Sequence, residues 1–188
     1  MCDATDLGAI PSGSYDFVLS SHSLEHVANP LKALEETKRV LKDGGIFVIV
    51  LPHQSGSFDH RRSVTPLAHL VDDYRQGTGE DDLSHLEEIL EKHDLSMDPL
   101  AGDLESFRRR ALDNIENRCL HQHVFDTPSV VALLDHVGLQ LIAAEAELPY
   151  NIIVVGQKLP AGTEKENRRF LDANADYRRS SPFARDRA

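Results

Sequence analysis

The sequence predicts an α/β fold in which a short parallel sheet is extended by an antiparallel pair and interrupted by a helical insertion. Three observations carry this reading. A strand, helix, strand pattern fills the stretch from Tyr15 to Leu51, a polar helix-periodic stretch follows it, and a capped helix with two apolar runs closes the folded part at Lys158. The 188 residues suffice for one domain, because a chain of this size hides roughly 70% of its unfolded surface. With 40% hydrophobic and 27% charged residues the composition is globular. No apolar run approaches the roughly 20 residues that span a bilayer, so a membrane protein is excluded.

The elements follow in order. Tyr15-Asp16-Phe17-Val18-Leu19-Ser20 is a short apolar run behind the turn-forming Pro11-Ser12-Gly13-Ser14, and reads as a buried strand ending in the polar cluster Ser21-His22-Ser23. Asn29-Pro30 supplies an N-cap and an N1 proline, after which Leu31, Leu34, Lys38 and Leu41 recur at helical spacing. Gly44-Gly45 is expected to stop this helix. The unbroken run from Ile46 to Leu51 predicts a strand covered on both faces, and the crossover between the strands should be right-handed. From about 54 to 119 the pattern turns polar and helical, with Pro66 to Tyr74, Asp81 to His93 and Leu104 to Arg118 as helices of a lid. Thr127-Pro128 caps a helix running to Val137 and ended by Gly138. Leu139 to Ala144 and Asn151 to Lys158 then predict antiparallel strands joined through Pro149-Tyr150. These elements make one domain over 1–158. Residues 159–188 have little apolar content beyond Phe170, Leu171 and Phe183, and predict a polar, mobile tail with one helical turn.

The formal charge of −11 repels phosphate backbones and argues against nucleic acid as a partner. Between Asp72 and Glu116 there are fourteen acidic against five basic residues, so the lid carries most of the excess, whereas after Pro160 seven basic residues face five acidic ones. The opening residues Met1 to Asp6 have neither the basic nor the apolar stretch of a secretory signal, and a cytoplasmic location is expected. Cys2 and Cys119 form no CxxC pair and no disulfide framework.

Four segments occur in a telling order: Asp3-Ala4, Pro11-Ser12-Gly13-Ser14-Tyr15-Asp16, Leu24-Glu25-His26-Val27-Ala28-Asn29-Pro30, and Arg39-Val40-Leu41-Lys42-Asp43-Gly44-Gly45. Together they resemble the class I S-adenosylmethionine-dependent methyltransferases, in particular the small-molecule group called type 11. The resemblance implies a partial Rossmann-like sheet made of that family's strands 4, 5, 7 and 6, with S-adenosylmethionine as cofactor and a small molecule as methyl acceptor. It implies that Asp3 accepts from the adenine amino group and that the Ala4 amide faces the adenine ring. Ser20, Ser21 and His22 match the loop at the methionine half of the cofactor, and His26 stands where the family commonly has histidine. In that family a glycine-rich turn and a ribose-binding acid precede the position of Asp3. This chain begins after them, and Gly77-Thr78-Gly79, which follows no strand, reads as a turn. Cofactor binding by the chain alone is therefore expected to be weak or absent. The strand 15–20 should be a naked edge, to be covered by a second copy in a homodimer, by a partner chain, or by an upstream half if the chain is read from an internal start. The alternative reading is a non-catalytic or repurposed domain, either a heteromeric partner or a histidine-lined site for a metal or metabolite.

Ten histidines exceed what packing requires. A neutral His22 would serve as the base that takes a proton from an acceptor hydroxyl, with His123 as a second candidate. His53 and His123 are expected near the carboxyl edge of the sheet. His121-Gln122-His123 with Asp126 offers two imidazoles on one side of an extended segment and a carboxylate three residues on; with His53, His60 or His22 this set suits zinc or non-haem iron. Ordinary polar residues ahead of a helix cap share that spacing, so no metal ligand is assigned. Phe58-Asp59-His60-Arg61-Arg62 sets an Asp–His pair beside two guanidiniums, which suits a carboxylate or phosphate on a substrate. His53, His60, Arg61, Arg62 and His121 are thus the expected substrate contacts.

Overall fold

The computed structural model describes residues 3–188, so Cys2 lies outside the described residues. Four strands form one open sheet in the order β1-β2-β4-β3, with β1 at Tyr15–Ser21, β2 at Leu41–Pro52, β3 at Gln140–Glu147 and β4 at Asn151–Gln157. β1 and β2 pair parallel, and the other two pairings are antiparallel. The crossover between β1 and β2 is α1 (Pro30–Val40), begun by Asn29, whose side chain accepts from the Lys32 N–H at 3.1 Å. Its residues Leu31, Leu34 and Val40 are buried, each worth roughly 1.5–3 kcal/mol of transfer free energy.

Gly44-Gly45 does not stop α1, which already ends at Val40 because Leu41 turns extended (φ −69, ψ 140) and enters the sheet. The glycines instead form a bulge in β2, where the pairing steps from Tyr15–Leu41 to Phe17–Ile46. Gly44 adopts φ +81 and donates to Lys158 O at 2.8 Å, while a Cβ on Gly45 would sit 2.8 Å from Lys42 O.

The lid holds α2 (Leu67–Gln76), α3 (Leu86–Lys92), α4 (Leu104–Leu112) and α5 (Asn114–Asn117). It has a small core of its own in Ile89, Ala101, Phe107, Ala111 and Leu120. α6 (Thr127–His136) opens with a capping box between Asp126 and Ser129. It packs on β3 and β4, and with α1 it buries Phe47, Ile49, Leu51, Ile152 and Val154 on one face of the sheet. The other face departs from the expectation of cover on both sides. Phe17 is 68% and Leu19 60% exposed, and Ile46, Val48, Val50, Ile153 and Val155 behind them are only half-buried.

The segment from 159 onward is docked. It forms α7 (Arg168–Leu171) and α8 (Asp176–Ser180), and Phe170, Ala175 and Tyr177 join the main core. Polar anchors do much of the holding. Asn167 Oδ1 accepts from the Leu141 N–H and its Nδ2 donates to Leu139 O, both at 2.8 Å. Buried Asp186 accepts from Thr127 Oγ1 at 2.7 Å, Ser181 Oγ at 2.6 Å and His53 Nε2 at 3.0 Å. A count of apolar residues misses anchors of this kind. No helix among the described residues is long and apolar enough to cross a membrane.

Candidate active-site cleft

β1 and β2 run parallel and end side by side, and open α/β sheets bind ligands beyond such carboxyl ends. The chain leaves β1 at His22, whose N–H still donates to Val50 O at 2.9 Å and whose backbone turns left-handed at φ +48, an uncommon conformation for a residue with a Cβ. The imidazole donates from Nε2 to Asn151 Oδ1 at 3.1 Å and stands edge-on to Tyr150, with 5.7 Å between ring centres. A 3₁₀ turn over Leu24–His26 then carries Glu25 inward and His26 along the cleft wall.

Two clefts meet at these histidines. One, of about 590 Å³, is lined by Asp3, Ala4, His22, His26, Glu80 and Arg118. The other, of about 360 Å³, is lined by His22, Glu25, His26, Phe58, His121 and Tyr150. A larger hollow of about 610 Å³ lies at the opposite edge of the sheet between β3 and the tail, with Ile142, Phe170 and Tyr177 in its walls and no histidine. The chemistry-bearing groups converge on the first two, so these define the candidate site.

The electrostatics of the junction are unusual. Glu25 is buried and neither carboxylate oxygen has a hydrogen-bond partner. Its Oε1 lies 3.7 Å from His22 Nδ1 and 3.9 Å from His26 Nε2. Burial pushes the Glu25 pKa up, against the pull of His121 and His22. His26 donates from Nδ1 to Leu120 O at 3.0 Å, and burial together with neighbouring His121 depresses it to about 4, so its Nε2 carries a lone pair at neutral pH. His121 donates from Nδ1 to Asp59 Oδ2 at 2.6 Å. Asp59 in turn pairs with Arg62 at 3.0 Å; burial would raise the Asp59 carboxyl, yet His121 and Arg62 hold it below the usual range. Buried Arg62 also donates to His121 O at 2.7 Å and Gln122 O at 3.3 Å, fixing the strand of chain that delivers His121.

The other expected site residues are placed as follows. Asp3 Oδ1 accepts from the Thr5 N–H and hydroxyl, each at 2.8 Å, and Oδ2 stands 3.6 Å from Arg118. Ser20 bonds Ser23 at 2.8 Å, and neither Ser20 nor Ser21 lines the clefts. His53 is fully buried, stacked on Phe183 at 3.9 Å and bonded to Asp186, so it does not reach a cleft. His123 is buried too, donating to Ala28 O at 3.2 Å among His69 and His85. The Asp59–His60 pair does not form. His60 and Arg61 turn outward onto Asp94 at 2.9 and 2.8 Å, while Asp59 turns inward to His121 and Arg62. Nor do His121, His123 and Asp126 converge, since Asp126 caps α6 and bonds Arg185 at 3.0 Å. Glu25, Glu80, Arg118 and Tyr150 are site residues the sequence did not single out, and Asp59 was read only as a partner of His60; for Glu25 the one signal was its place beside His26 in the Leu24 to Pro30 segment.

Residues 1–49 match the model of a family described as a methyltransferase domain. That segment is similar to methyltransferase sequence. It supplies Asp3, Ala4, His22, Glu25 and His26, whereas Phe58, His121 and Tyr150 come from beyond it. Among solved structures, an S-adenosylmethionine-dependent methyltransferase from Aquifex aeolicus is 14% identical, with a TM-score of 0.45 over 84% of this chain and 53% of that one. A complex between the Haloferax volcanii Trm112 methyltransferase activator and a methyltransferase gives 13% identity and a TM-score of 0.49, covering 87% of this chain and 61% of that one. An O-methyltransferase family protein from Burkholderia thailandensis gives 15% and 0.45, over 85% of this chain and 35% of that one. The chain thus spans about half the length of the first of these and less than two thirds of the second. No curated protein matches the sequence.

Proposed function

We propose that this chain is the acceptor-side part of a cytoplasmic S-adenosylmethionine-dependent methyltransferase acting on a small molecule. The observation that carries the reading is the meeting of two clefts at His22 and His26, one bearing the methyltransferase-segment residues Asp3 and Ala4 and the other closed by Phe58, His121 and Tyr150. The residues present fit the cofactor in part. Asp3 keeps acceptor capacity on its carboxylate for an adenine amino group, but the first cleft is lined by no glycine that would let backbone approach a ribose or amino-acid group. When bound, the cofactor supplies a methyl group on a sulfonium. The chain's own share is positioning, which is worth several kcal/mol in such displacements, with His22 placed at the boundary of both clefts to take the acceptor's proton. The bare apolar face of the sheet supports a further chain, a second copy or a partner, packing against β1 and β2.

Two measurements on the full chain test this. Calorimetry with S-adenosylmethionine should detect very weak binding or none; tight binding would refute the incompleteness of the site. Saturation-transfer NMR with S-adenosylhomocysteine should show contact to the adenine protons that Asp3→Ala abolishes, and a signal indifferent to that substitution would remove the cofactor reading.

A further inference from the structure

The boundary between the two clefts has a second property that does not depend on methyl transfer. The donor atoms of Glu25, His26 and His121 lie within 4.8 Å of one another. Each imidazole uses its Nδ1 elsewhere, His26 on Leu120 O and His121 on Asp59, which leaves its Nε2 available to a ligand. The third group is a buried carboxylate without a donor. Two imidazoles and a carboxylate gathered this closely can share a cation, and a carbonyl or carboxylate behind each imidazole is how metal-binding histidines are oriented. The Asp59 carboxylate is itself anchored by Arg62, and the group opens on a cleft through which an ion can enter.

We propose that Glu25, His26 and His121 bind a divalent transition-metal ion of the zinc or iron(II) class, with His22 as the adjacent fourth group. Two imidazoles and one carboxylate suit such ions and not magnesium or calcium, which take oxygen donors. Ligand bonds of about 2.0–2.2 Å require the donors to draw together slightly, which the half-buried His26 and the turn carrying Glu25 permit. A binding site of this composition leaves coordination positions open toward Phe58 and Tyr150. The second histidine group, His69, His85 and His123, differs in two ways. Its His69 and His85 rings are hydrogen-bonded to each other at 3.1 Å, and it borders neither cleft.

The test uses the full chain, stripped with a chelator and titrated with cobalt(II), then with zinc in competition. The expected result is one equivalent of cobalt with the visible ligand-field bands of a four- or five-coordinate ion, displaced by zinc. Glu25→Gln and His121→Gln should each weaken binding by about 100-fold, and Asp59→Asn by about 10-fold through loss of orientation, while His69→Gln binds as the parent does. Far-ultraviolet dichroism checks the fold of each variant, and should His121→Gln misfold, Glu25→Gln and His26→Gln decide. Absence of ligand-field bands, unchanged binding in Glu25→Gln, or loss in His69→Gln alone would overturn the proposal.

Discussion

Glu25 is a carboxylate buried without a hydrogen-bond donor, and a buried ion without compensation costs several kcal/mol even after relaxation. In the metal-free chain Glu25→Gln should therefore raise unfolding stability by about 1–3 kcal/mol, measured by guanidinium denaturation in the presence of a chelator; a loss of stability would mean that the carboxylate has a donor. The residue sits inside a segment whose family pattern the sequence displays plainly, yet its role was illegible there. His121 reaches it from the far end of the lid, oriented by Asp59, whose sequence neighbour His60 looks like its natural partner. The turn sends Asp59 inward while His60 and Arg61 point outward to Asp94. Spacing along the chain therefore suggested a contact between neighbours that is not made, and missed the pair that closes at 2.6 Å.

The elements themselves were largely legible. β1, α1, α6 and the β3–β4 pair follow from apolar runs, an Asn-Pro cap, a Thr-Pro cap and Gly138, signals that act within a few residues. The tail was not, because Asp186 and Asn167 hold it through polar contacts with residues far away in sequence. Asp186→Ala should free α7 and α8, lowering stability by about 3 kcal/mol and removing hydrogen-exchange protection across 159–188; unchanged protection would show that the aromatic contacts suffice. The pH dependence has a definite sign. Burial opposes ionisation of Asp186, yet the bonds from His53, Ser181 and Thr127 hold its carboxyl below the ordinary value of 3.8. A depressed folded-state pKa contributes stability that is complete above 3.8 and is lost as the pH falls through the folded value. The tail should stay docked at neutral pH and loosen on acidification below that point.

At the scale of the whole molecule, the run Ile46 to Leu51 asked for cover on both faces and has it on one. The composition of the strand asks for a second covering layer that the described residues do not supply. With Phe17 and Leu19 exposed beside it, the chain should associate in a concentration-dependent way in sedimentation velocity, and the double variant Phe17→Lys, Leu19→Lys should shift it toward monomer; association unaffected by that variant would place the contact elsewhere. The strand order has a further consequence in time. β2 lies between β1, made before it, and β4, made long after, with Ile46 paired to Gln157. At synthesis rates of about 5–20 residues per second, β2 waits on the order of ten seconds for that partner. The lid, whose contacts are local, emerges and folds in the interval. The nascent chain thus leaves the β4-facing edge of its most apolar strand unpaired, with β1 and α1 already beside it, until the C-terminal strands arrive.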